Sequence, residues 1–424
     1  MRKIISYILL LTVTVLLVAC ASEAEDSSSQ GQPNDENYYQ YTPGRRTIIA
    51  YITADNNIAN ELSGDITEMV EGSKSMPEDC RLLVFADIKG QMPYIARIDN
   101  GTMKKVKEYD KEFYSTSPDS MRSIFQWIID RYPSSEYGAV IEGHGTGPLI
   151  RTDTVASRLV SLHAYGYDAS GEESATSTNK WMNIPSMATA LYNVKDSNGN
   201  PLKLSFLFFD CCCFQTVEVA YELRHTAEYI IAPVCETPGE GANYKNIVPV
   251  LCEKEVSNVA KDIVNTYASN SELCISAVRT DKMEALCNAT RTVLQDIYTT
   301  AESPLELSKN KCIYYYKNTE SAGIPVLCDI KHIIKTNAST EAYNRWLPFL
   351  EDAVIVKHRV AQWTTSGSIN INFYSFREYM TDDNYGGMSM IIPDGAYNYY
   401  GSNITTSMFQ LEWCRNVGWK QFGW

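Results

Sequence analysis

The stretch "LSFLFFDCCCFQTVEVAYELR" (Leu204 to Arg224) decides the fold. Its first half is a short, continuously apolar run ending at Asp210, which reads as a strand buried on both faces. Its second half, from Val217, has helical spacing. Between them stand Cys211, Cys212 and Cys213. Neighbouring Cα atoms lie about 3.8 Å apart, whereas an unstrained disulfide spans roughly 4.4–6.8 Å, so these three do not bridge among themselves. Zinc has little support, because no CxxC or HExxH spacing is present and His225 lies too far along the helix. Packing thiols and a nucleophile remain.

Working outward, the same strand-then-helix rhythm recurs upstream and downstream. "RTIIAYIT" (Arg46 to Thr53), "RLLVFAD" (Arg81 to Asp87), "YGAVIE" (Tyr137 to Glu142) and "YIIAP" (Tyr229 to Pro233) are further apolar runs, with "PYIARI" (Pro93 to Ile98) as a short edge or hairpin strand. "ANELSGDITEMVEGS", the segment opened by Ser117-Pro118-Asp119, and "MNIPSMATALYNV" alternate with them as amphipathic helices. This predicts an α/β fold, a mostly parallel sheet with helices on both faces. From residue 251 helices dominate to about 360, as in "VSNVAKDIVNTYA", and aromatic, strand-like segments follow from Ser366. The expected organisation is a core over 45–250 and a C-terminal helical and strand region over 251–424 packed on it.

In open sheets of this kind ligands bind beyond the carboxyl ends of the strands. "YGAVIEGHGTG" delivers His144 to one such end, and the opening stretch delivers the cysteines to another. A His and a Cys brought together there, though 68 positions apart in the chain, have the layout of a thiol nucleophile with an imidazole base. The Gly145 and Cys212 amides are candidate oxyanion donors.

"YITADNN", "GHGTG", "FDCCCFQTVEVAYELRHTAEYIIAP" and "ETPGEGANY" together resemble the clostripain family of cysteine peptidases, from about residue 45 to the end. The resemblance implies a caspase- and gingipain-like fold and cysteine endopeptidase activity. Phe209-Asp210-Cys211-Cys212 aligns with the family's Phe-Asp-Ala-Cys, which implies that Cys212 is the nucleophile, His144 its general base and acid, and Cys211 and Cys213 packing residues. Asp210 would then line the pocket for the residue before the cut bond. Glu240, in Pro238-Gly239-Glu240-Gly241, stands where the family usually has a second Asp. Two acids there imply cleavage after Arg or Lys. The sequence departs from the family at Glu142-Gly143, where an aromatic residue and Asp are usual, and at Ala242-Asn243, where Trp is usual. Some relatives are activated by cleavage between the His and the Cys. Arg158 is the expected processing residue here, with Arg151 and Lys180 as alternatives. Some relatives depend on calcium, for which Asp55 is the candidate. The residues themselves read as a strand-end turn, and neither a metal site nor an organic cofactor is expected.

The N-terminus "MRKIISYILLLTVTVLLVAC" has a basic start, an apolar run and a Leu-Val-Ala-Cys ending. That pattern is a signal peptide over 1–20. Its ending resembles a bacterial lipoprotein signal, which implies lipidation at Cys20 and a bilayer as partner. Ala21 and Ser22 imply the outer membrane, and residues 21–44 read as a flexible acidic tether. Twelve cysteines leave eleven once Cys20 is lipidated, an odd number with no scaffold spacing; Cys235, Cys252, Cys274 and Cys287 read as small buried hydrophobes. A net charge of −14 excludes a nucleic-acid footprint, which needs a basic stripe, and suits cationic substrates. Two other readings fit the residues: a catalytically silent surface lipoprotein that binds with the same fold, and a caspase-like peptidase with another first-position preference.

Overall fold

The computed structural model describes residues 44–150, 165–169, 180–270, 273–301, 303–309, 311–318, 324–366, 371–375, 379–393, 398–399 and 402–424. In chain order the strands of interest are β1 (Gly44–Ala54), β2 (Cys80–Ile88), β3 (Tyr94–Asp99), β4 (Thr102–Glu108), β5 (Ser134–Glu142), β6 (Leu204–Asp210), β7 (Ala227–Pro233), β8 (Ile275–Arg279), β9 (Tyr314–Asn318), β10 (Ile324–Asp329) and β11 (Val354–His358). Nine of them form one sheet in the order β11-β8-β7-β6-β5-β1-β2-β3-β4. Its centre, β2-β1-β5-β6-β7, is parallel throughout, and β3, β4, β8 and β11 extend it antiparallel on the two sides. This is the expected α/β architecture.

The unbroken apolar runs follow from burial on both faces. In β1, Ile49 and Tyr51 join one core while Ile48, Ala50 and Ile52 join the other, as the two-residue period of a strand requires. The first core is covered by α2 (Pro118–Arg131), α3 (Ile184–Tyr192), α4 (Val217–Glu222) and α7 (Met283–Tyr298); the second by α1 (Ala59–Gly72), α5 (Tyr244–Leu251) and α6 (Val256–Asn270). The helix start read from Ser117-Pro118-Asp119 is present, although the Ser117 side chain makes no capping bond. β4 carries Lys104, Lys105 and Lys107 on an exposed edge, which discourages pairing with another chain.

The chain after residue 250 does more than lie on the core. β8 and β11 enter the main sheet from a span that reads as helical. Each has five residues and pairs antiparallel, too short to register as a period against α6, α7 and α8 (Thr340–Ala353) around them. Further on, Trp413, Cys414, Val417, Trp419 and Phe422 are buried in the same core as α4. Glu412 is tied to the end of α4 by its N–H on a Glu222 carboxylate oxygen, and its carboxylate pairs with Arg224 just beyond the helix, 2.9 Å away. Among the described residues no helix is long and apolar enough to cross a membrane.

Candidate active site

The sheet register builds the site. β5 and β6 are parallel neighbours in which Ile141 pairs with Phe209 and Glu142 with Asp210. Two residues beyond that last pair stand His144 on one strand end and Cys212 on the next, with strand axes about 4.8 Å apart. The segments that carry them are in direct contact. A Cβ added to Gly145 would lie 2.5 Å from the Phe214 ring and 3.0 Å from the Cys211 Cβ. Only a residue without a side chain lets the His144 turn lie flat on the cysteine turn.

The three thiols have different surroundings. Cys211 is fully buried and donates to the Ile141 carbonyl at 3.3 Å. Cys213 is 1% exposed, its N–H donates to the Cys235 carbonyl at 2.9 Å, and its φ is +59°. That left-handed kink turns the chain from β6 towards α4, whose first turn is capped by the Thr216 hydroxyl rather than by Asp210. Cys212 alone is partly exposed. Its sulfur lies 3.3 Å from the Thr237 hydroxyl and accepts the Thr237 N–H at 3.3 Å. Burial pushes this thiol up to about 12 and the Glu236 charge adds to the effect, against the pull of Thr237. The resting sulfur is therefore a thiol, and attack requires a base.

His144 is held by Asn57, whose amide oxygen is 2.9 Å from Nε2. With that oxygen as acceptor, Nε2 carries the proton and Nδ1 is the basic nitrogen. Burial lowers the imidazole's affinity for a proton, opposed by the Glu61 carboxylate. A neutral ring on the strand end beside that of a protonated thiol is suited to taking the proton as the sulfur attacks.

Asp210 is buried beneath the loop that runs from Pro238 to Tyr244. One of its oxygens accepts the Tyr267 hydroxyl at 2.6 Å; the other accepts the Ala242 N–H at 2.8 Å and the Tyr244 hydroxyl at 3.2 Å. Gly241 passes directly over it with φ +59°, and a Cβ there would be 2.8 Å from a carboxylate oxygen. Glu240, the residue before, is exposed on the same loop.

A profile of the clostripain family matches residues 50–423. The chain belongs to the clostripain family. Clostripain of Hathewaya histolytica is 23% identical over 231 residues, which is 47% of this chain and 41% of that protein, so the chain spans about two fifths of its length. A secreted cysteine protease of Bacteroides thetaiotaomicron, solved with an irreversible peptide inhibitor, is 25% identical and superposes with a TM-score of 0.70 over 89% of this chain and 100% of that one. An inactive zymogen from Parabacteroides distasonis shares the fold at 21% identity, with a TM-score of 0.69 over 89% and 99% of the two chains.

Within this clostripain-family chain, the geometry at position 143 favours glycine. Its φ is +149°, and a Cβ would lie 2.4 Å from the Thr53 hydroxyl. Asn57 and Thr237 are the functional candidates that reading the sequence missed. Both lie inside quoted motifs, "YITADNN" and "ETPGEGANY", yet nothing local marks a side chain whose partner is 87 or 25 positions away. Asp55 is buried at the end of the β1 segment, and the described residues contain no cluster of three metal-ligating side chains. Arg158, Arg151 and Cys20 lie outside the described residues. Lys180 is described; it is buried, and its carbonyl accepts the Asp168 N–H at 3.0 Å. All eleven cysteines in the described residues are free, and ten are buried.

Proposed function

We propose that this chain is an exported cysteine endopeptidase that cleaves after Arg or Lys. The observation that carries the reading is the Glu142–Asp210 register pair, which sets His144, Cys212 and a buried carboxylate at neighbouring strand ends. In this reading Cys212 Sγ attacks the scissile carbonyl carbon while His144 takes the thiol proton, and the oxyanion is met by the Gly145 and Cys212 amides. His144 then gives the proton to the leaving amine. Asp210 and, at the rim, Glu240 attract the cationic side chain. The inhibitor-bound Bacteroides relative, described as secreted, supports both a peptide substrate and export. Anchoring through a lipid on Cys20, at the outer membrane, and self-processing at Arg158 belong to the same proposal.

A fluorogenic peptide panel varied only at the residue before the cut, run with the wild type and Cys212→Ala, tests it. Turnover confined to Arg and Lys peptides, and absent in the variant, is expected. Preference for Asp or a bulky apolar residue removes the specificity assignment and leaves the thiol mechanism in place. Equal turnover by Cys212→Ala removes the mechanism. Cys20→Ser is expected to lose fatty-acid labelling and leave the membrane fraction.

A further inference from the structure

Asp210 already has three hydrogen-bond donors, yet two further acids stand beside it with vacant acceptor sites. Glu142 is its register partner on β5, so both side chains leave the same face of the sheet. That face is covered by α1, where Glu61, Asp65 and Glu68 fall on one stripe at helical spacing. The stripe runs along the Asp210 loop: Glu68 accepts the Tyr244 N–H at 2.8 Å, and a Cβ at Gly239 would lie 3.9 Å from Glu61 Cγ. Glu142 is 0% exposed and Asp65 4% exposed. Neither oxygen of Glu142, nor Asp65 Oδ2, has a hydrogen-bond partner. The Tyr244 hydroxyl, which meets Asp210 at 3.2 Å, also lies near enough to favour a charge on Glu142. No described lysine, arginine or histidine pairs with Asp65, Glu142 or Asp210.

Unpaired carboxylates buried together are costly. We propose that Glu142 and Asp65 are the inner acceptors of the first-residue pocket, so that a substrate cation is held among three carboxylates rather than by Asp210 alone. This rests on the basic-residue reading above. A guanidinium has five N–H donors and an ammonium three, enough to fill the three vacant acceptors. Glu142, with both oxygens vacant, matches the two-pronged fork of a guanidinium. The same crowding favours the protonated forms of these acids. Burial, then the neighbouring Asp210, Glu68 and Glu61 charges, raise Asp65 to about 8. Burial, then Asp65 and Asp210, hold Glu142 well above the usual carboxylate range. A cation entering the pocket displaces those protons.

Matched peptides with Arg, Lys or citrulline, the neutral isostere of Arg, before the cut test this. Wild type is expected to favour Arg over citrulline strongly. Glu142→Gln should lower that ratio about tenfold or more, Asp65→Asn several-fold, and Glu142→Asp should recover part of it, with iodoacetamide labelling of Cys212 as the check that the site is assembled. A wild-type measurement covers the case in which Glu142→Gln does not fold. Butylguanidinium should inhibit competitively, and more tightly as pH rises from 6 to 9, by up to about tenfold per unit for each proton displaced. A wild type selective for Arg whose ratio survives both substitutions overturns this proposal and leaves basic-residue cleavage standing. A flat pH dependence of butylguanidinium inhibition overturns it equally. A wild type indifferent to charge removes both.

Discussion

A single kink at Cys213 sorts three adjacent thiols into different environments, and each sulfur predicts a different outcome. Cys212→Ala and His144→Ala are expected to abolish peptide turnover, since the thiol at about 12 has almost no nucleophilic anion of its own at neutral pH. Cys211→Ala and Cys213→Ala should keep turnover and lose about 1 kcal/mol of stability from the buried core, read as a lowered Tm. A dead Cys211→Ala beside an active Cys212→Ala would place the nucleophile one residue earlier. Asn57→Ala should lower kcat on the order of tenfold, well short of the ~10²–10⁴ that a general base supplies, because it frees the His144 ring without removing it. Burial lowers the His144 pKa, so the acid limb of the rate of Cys212 alkylation by iodoacetamide should lie below the ordinary imidazole value of about 6.5. A limb above that value would contradict the environment described for the ring.

Elements explain what the sequence could and could not reveal. β1, β2, β5, β6 and β7 are covered by helices on both faces, so each reads as an apolar run, and a parallel sheet with its site at the carboxyl ends follows from them. His144 and Cys212 stand out as candidates in the sequence because each closes such a run. β8 and β11 were hidden by their length, and the Asn57 and Thr237 contacts exist only once the strand ends are side by side. Glu142 read only as a departure from the family's motif; its meaning needs α1, whose acidic stripe looks like an ordinary solvated helix face until Asp65 is seen to be buried. The loop over Asp210 gives a prediction at the same scale. Gly241→Ala forces a side chain into a left-handed backbone, at about 1–2 kcal/mol, and against the carboxylate it covers. KM for Arg and Lys peptides should rise more than kcat falls. An unchanged KM would mean that the loop does not shape the pocket.

Over the whole molecule, buried acids set the response to pH. Besides the pocket, Asp87 is raised to about 9, by burial and then by Asp168, and Glu218 and Glu222 are each raised to about 7 by burial. A carboxyl that binds its proton more tightly folded than unfolded contributes stability below its unfolded value near 4, and that contribution is lost as pH rises through the folded value. The Tm should therefore fall between about pH 5 and 9. Asp87→Asn, which removes a titrating group whose two oxygens have no hydrogen-bond partner, should flatten part of that decline. A Tm that climbs over the range would refute the buried-acid account.

The tie between α4 and the segment around Glu412 also has a bearing on time. The helix that follows Cys212 is met at its end by a residue 190 positions further along the chain. At roughly 5–20 residues per second, a ribosome takes about 10–40 s to supply them. Throughout that interval Cys212 and His144 have both been made, but the segment that buttresses the end of α4 has not. A growing chain thus carries both side chains for that interval before the contacts of the Glu412 segment on the end of α4 can form.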